Sequence, residues 1–220
     1  FVGIDGLTAS ATDIHVAINQ ADLQSDKDAG AVVDFSSGAT NLEVATSAST
    51  SLALSIDGSR GESMSAAANI DLDVFGFFSV KGGFAVEQYT AKDSIQLSDG
   101  SKIKDASVLT IGGSNIDAFA GINGGTDNAV GLSLGKADFG LALISDKNDA
   151  AHKFTSLQAT AGLASFVGVD SVTVDASNLK VNLNQGITLA AEPEVTTKEN
   201  TQLGLNIPVD LVGSVTLSKG

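Results

Sequence analysis

No cysteine occurs in the 220 residues. Neither a disulfide nor a thiolate metal site can therefore staple the fold, and stability must come from packing and backbone hydrogen bonds. Tryptophan is also absent and tyrosine occurs once, which removes most of the flat aromatic surface on which sugars or bases stack. Proline appears only at Pro193 and Pro208. That scarcity suits long runs of paired strands, because a proline removes a ladder hydrogen bond. Basic residues are few, 12 against 26 acidic ones, for a formal charge of −14. Such a chain would repel a phosphate backbone and carries no basic stripe, so nucleic acid is excluded as a partner. No stretch approaches the roughly 18 unbroken apolar residues of a membrane-spanning helix.

What is present is aliphatic and glycine-rich: 43% hydrophobic residues, ten phenylalanines and 24 glycines. That content is too apolar for a disordered chain. The sequence opens on Phe1 with no initiator methionine and no signal segment, and we read it as a piece of a longer protein.

Self-comparison yields the strongest pattern. Residues 1–20, FVGIDGLTASATDIHVAINQ, align without a gap with residues 166–185, FVGVDSVTVDASNLKVNLNQ, at an offset of 165. Phe1/Phe166, Gly3/Gly168, Asp5/Asp170, Val16/Val181 and Asn19/Asn184 are among the identities, and Ile14/Leu179 and Ile18/Leu183 exchange one aliphatic for another. The pattern divides the chain into a β-rich module over 1–165 and the start of a second copy over 166–220.

Within the second unit the apolar residues alternate as Val172, Val174, then Leu179, Val181, Leu183. Period two marks half-buried strands, and the break at Asp175-Ala176-Ser177-Asn178 reads as a turn. This predicts strands of about five residues. Further turns are expected at Asp57-Gly58, Asp99-Gly100, Gly112-Gly113 and Gly124-Gly125, and the segment 154–166 reads as strand. The fold class is all-β, an elongated repeat architecture. Three short strands per twenty-residue unit favour a β-solenoid, while the Asp-Gly turns pull toward an antiparallel meander or sandwich.

Candidate chemistry is sparse. His15 and His152 are the only imidazoles, Arg60 is the only arginine, and no Gly-x-Ser-x-Gly elbow or phosphate-binding glycine loop is present. The reading is of a protein that is not an enzyme, with a polysaccharide-active β-helical enzyme as a distant alternative. Clustered oxygens suit calcium better: Asp26 and Asp28 in one loop, and Asp146, Asn148 and Asp149 in another, are the candidate ligands. No other cofactor is implied.

The Phe-Val-Gly-x-Asp…Asn-Gln unit and the acidic, cysteine-free, Gly/Ala/Asn/Val-rich texture resemble the modules of very large secreted bacterial surface proteins and adhesins. That resemblance implies an extracellular or cell-surface segment of a stalk, filament or coat. Its partners would be neighbouring copies of the same module. A calcium-dependent module that binds a glycan or a surface is the alternative.

Overall fold

The computed structural model describes residues 4–21, 31–36, 40, 42–91, 93–149, 151–169, 172–188 and 210–219. No helix occurs among them. The strands are β1 (Leu7–Asn19), β2 (Glu43–Ala45), β3 (Ser51–Ala53), β4 (Ser63–Val74), β5 (Phe78–Thr90), β6 (Ile95–Gln96), β7 (Lys102–Ile103), β8 (Ala106–Ile122), β9 (Val130–Asp146), β10 (His152–Val167), β11 (Val172–Thr188) and β12 (Asp210–Lys219). Eight of them form one sheet in the order β1-β4-β5-β8-β9-β10-β11-β12, and every neighbouring pair is antiparallel. Two small hairpins, β2–β3 and β6–β7, fill the longer connections.

The antiparallel alternative is therefore the one the chain adopts, and no parallel coil is found among the described residues. β10 crosses the 165/166 boundary, and β11 continues the same sheet. Of the expected turns, Asp99-Gly100 closes β6–β7 with Gly100 at φ 85°, and Gly125 at φ 76° lies in the β8–β9 turn. Asp57-Gly58 opens a turn, with Gly61 N–H donating to the Gly58 carbonyl at 3.0 Å, but it lies in a loop against the backbone of Val33 and Asp34 and joins no hairpin. Gly112-Gly113 lies inside β8, where the Phe139 ring occupies the space that a Cβ on Gly113 would need.

The strands are also much longer than expected, with 17 residues in each of β8, β9 and β11. The reason lies at their midpoints. Asp13 in β1, Asn115 in β8, Lys136 in β9 and Asn178 in β11 take left-handed φ values of 49° to 54°. Gly162 of β10 stands between Lys136 and Asn178 in the strand register. Together with Gly82 of β5 (φ 153°), these residues draw a seam across the sheet, with register shifts at Asp13, Gly82, Asn115 and Asn178. An extra residue in a strand is a β-bulge, which bends the strand and increases its twist.

Each bulge also moves the side-chain alternation by one residue. In β11 the apolar positions are even at Val174 and Ala176, then odd at Leu179, Val181 and Leu183. In β8 they pass from Leu109 and Ile111 to Ile116 and Ala118; in β9 from Leu132 and Leu134 to Ala137, Phe139 and Leu141. β1 and β10 change phase in the same way, whereas β4 and β5 keep even positions throughout. The phase change read as a turn at 175–178 is thus a bulge within one strand. It keeps the apolar side chains on a single face.

The contacts at the seam agree. Ile116, Ala137 and Ala161 are 5%, 8% and 9% exposed, and Val80 and Leu134 from one half pack on them together with Phe84, Phe139 and Leu179 from the other. Phe84 and Phe139 meet edge to face at 6.4 Å. Two reciprocal bonds stitch the bulges of β8 and β9: Asn115 N–H donates to Asp138 Oδ1 at 2.9 Å, and Lys136 N–H donates to Asp117 Oδ1 at 3.1 Å. In β4, Asn69 Nδ2 donates to Asp13 Oδ2 at 2.8 Å. Backbone groups that the bulge takes out of the ladder thereby regain partners.

Lys136 supplies the test. A lysine pays a left-handed penalty that glycine escapes, and a β-branched residue suffers more. Lys136→Gly is expected to leave the unfolding free energy within about 1 kcal/mol of the parent, or to raise it, whereas Lys136→Val costs more than about 1 kcal/mol in denaturant melts. Equal losses for the two variants would contradict the seam.

Candidate functional site: an apolar sheet face

The strand register turns the sequence alternation into two unlike faces. One row across the sheet reads Val16, Ala66, Val86, Ile111, Leu141, Leu157 and Leu183. On the far side of the seam the corresponding rows are Ala9, Leu72, Val80, Ala118, Leu134, Ala164 and Ala176, then Leu7, Val74, Phe78, Ala120, Leu132, Phe166 and Val174. None of these positions is charged.

The intervening rows point the other way. They read Ala17, Ser65, Glu87, Thr110, Ala142, Ser156 and Asn184, and beyond the seam Thr8, Asp73, Ser79, Phe119, Ser133, Ser165 and Asp175. Phe119 is the one large apolar residue in these two rows, and its ring lies beside Gly121 and Gly124.

The two faces are covered differently. Near one end the polar face carries an apolar row, Tyr89, Val108, Ile144 and Phe154. The β6–β7 hairpin folds Ile95, Leu97 and Ile103 onto it, burying Val108 and Ala106. On the apolar face the only comparable packing among the described residues is the seam itself. Away from the seam Val16 is 65% exposed, Ile18 54%, Leu132 55% and Phe166 40%. Burial is thus deepest along the seam on the apolar face, while Asn115, Lys136, Asp138, Asn178 and Lys180 of the polar side are exposed there.

The described residues singled out for chemistry fall in three places: the β9–β10 turn, strand β1 and the loop before β4. Asp146, Asn148 and Asp149 fall at the β9–β10 turn, and Asp26 and Asp28 lie outside the described residues. At that turn Asp146 Oδ1 accepts the Asn148 N–H at 2.8 Å, and Asp149 Oδ1 accepts the Ala151 N–H at 3.0 Å. Asn148 Nδ2 donates to the Lys104 carbonyl at 3.3 Å. These are local Asx bonds that close a turn. Among the described residues no group of three or more His, Asp or Glu is placed to hold a metal ion. His152 Nδ1 lies 3.4 Å from Asp149, whereas His15 faces Ala67 across the β1–β4 pair.

Arg60 binds both oxygens of Glu87 at 2.6 Å and lies 5.2 Å from the centre of the Tyr89 ring. The Glu87 carboxylate raises the Arg60 pKa above its ordinary value. With Arg60 half exposed, the pair adds little stability and anchors the loop before β4 to β5. A trough of about 1010 Å³ runs across the strands between Ala85–Glu87 and Asn182–Asn184, floored by small side chains and backbone. Glu87 is the one ionisable residue in its wall.

No family model matches the chain, and neither does any curated protein or solved structure. The site most open to a partner is therefore defined by geometry alone: the apolar face. The sequence carried its signal in the alternating aliphatics, but the phase changes hid their continuity. The stitching acids were legible in retrospect from two like triplets, Asn115-Ile116-Asp117 and Lys136-Ala137-Asp138.

The Asx turns give a titration test. The Ser101 hydroxyl, then its N–H, hold the Asp99 carboxyl below its ordinary pKa, with bonds of 2.6 and 2.9 Å to Oδ1. Ser59 lowers Asp57 in the same way. Because the folded pKa is the lower one, the associated stabilisation is present above the ordinary carboxylate range and is lost as pH falls through the folded value. In NMR carboxylate titration, Ser101→Ala is expected to move the Asp99 midpoint upward, toward the ordinary carboxylate value. An unchanged midpoint would show that the serine does not set it.

Proposed function

We propose that the chain is a structural repeat segment of an extracellular bacterial surface protein, serving as stalk, filament or coat. One observation carries this reading. The two sequence units 165 residues apart contribute strands β1 and β11 to the same continuous sheet, and their left-handed residues coincide at that offset, Asp13 (φ 50°) with Asn178 (φ 54°), since 13 + 165 = 178. The repeat thus preserves a bulge as well as an apolar pattern, which is what stacked repeats need if each strand is to bury its side chains on the same face as its neighbours. The outer strands β1 and β12 are where further copies would extend the sheet by edge pairing.

The acidic composition fits a segment kept apart from its surroundings by like charge. The alternative, a calcium-dependent module that binds a glycan or a surface, draws on the oxygens of Asp146, Asn148 and Asp149. Calorimetry separates the two. A structural segment gives no saturable heat with calcium and no chelator-reversible change in Tm. A calcium site filled at about 100 times its Kd would add about 2.7 kcal/mol, and such a shift would overturn the structural reading.

A further inference from the structure

We propose that the apolar face is an interface between two copies of this chain, packed sheet against sheet. Five positions per strand carry no polar side chain, as from Ala66 to Val74 in β4, and span about 27 Å, while the seven strands β1, β4, β5 and β8–β11 span about 34 Å. The face is thus on the order of 900 Å². That exceeds the roughly 300–600 Å² of the largest apolar patch on a typical monomer. It matches what a stable pair requires, about 800 Å² from each partner.

Charge favours a like partner. The chain carries a net −14, which opposes self-association through most of its surface, yet the apolar rows hold no ionisable group. Two copies can meet there without setting like charges against each other, and the acids of both remain in water on the opposite faces. A two-fold axis requires a surface complementary to itself, which an uncharged aliphatic face satisfies. Stacked sheets with such faces pack about 10 Å apart.

The absence of cysteine makes the test clean, because one introduced thiol reports alone. Leu157→Cys places a thiol on the apolar face near its middle, and Gln158→Cys places one on the same strand facing the other way. The unmodified chain should sediment at twice 22.1 kDa and dissociate on dilution. Under mild oxidation Leu157→Cys should give a covalent dimer and Gln158→Cys should not. Leu157→Lys should dissociate with its far-UV circular dichroism retained, and Gln158→Lys should remain dimeric. If the lysine variant unfolds, the cysteine pair still decides. A chain that is monomeric at every concentration, equal cross-linking of the two thiols, or a monomer that is soluble only with detergent or acyl chains bound would each overturn the proposal.

Discussion

Two hydrogen bonds, Asn115 N–H to Asp138 and Lys136 N–H to Asp117, allow adjacent strands to carry a bulge at the same level without leaving a backbone donor unpaired. Much of the architecture depends on that arrangement. A lone bulge shifts the register between two strands, as between β1 and β4. Matched bulges cancel in the register, as in the continuous pairing of β9 with β10 and of β10 with β11. The strands can then run to 16 or 17 residues while the apolar rows stay aligned on one side of the sheet.

Among the described residues the buried apolar side chains fall into two groups, one along the seam and one beneath the β6–β7 hairpin. The hairpin shows how the chain treats apolar residues that fall on the polar face: it covers them. The other face has no such cover among the described residues, and the proposal of a paired sheet follows from its extent. Acidic residues have a local role here as well. Asp99, Asp57, Asp146 and Asp149 close turns, while Asp117 and Asp138 close bulges.

The all-β class and the alternation were legible from residues alone, as was the repeat linking Phe1–Gln20 to Phe166–Gln185. Strand length was not. In Val174-Asp175-Ala176-Ser177-Asn178-Leu179, four small or polar residues interrupt the aliphatics, and local chemistry treats Asp, Ser and Asn as turn formers. Only the neighbours across the sheet, Phe166 facing Val174 and Ala161 facing Leu179, show the strand running through. The same ambiguity placed a turn at Gly112-Gly113, where the missing side chains in fact make room for Phe139. The solenoid reading rested on those short strands, and no parallel coil is found among the described residues.

The central claim is that one strand changes phase at a bulge while its apolar side chains keep to one face. Single cysteines from position 174 to 184, each carrying a spin label, test it through accessibility to a water-soluble relaxation agent. Protection is expected at 174, 176, 179, 181 and 183, with the period-two pattern slipping once, at Ser177-Asn178. Full accessibility across 175–178, as in a turn between two short strands, or an unbroken alternation through Asn178, would contradict it.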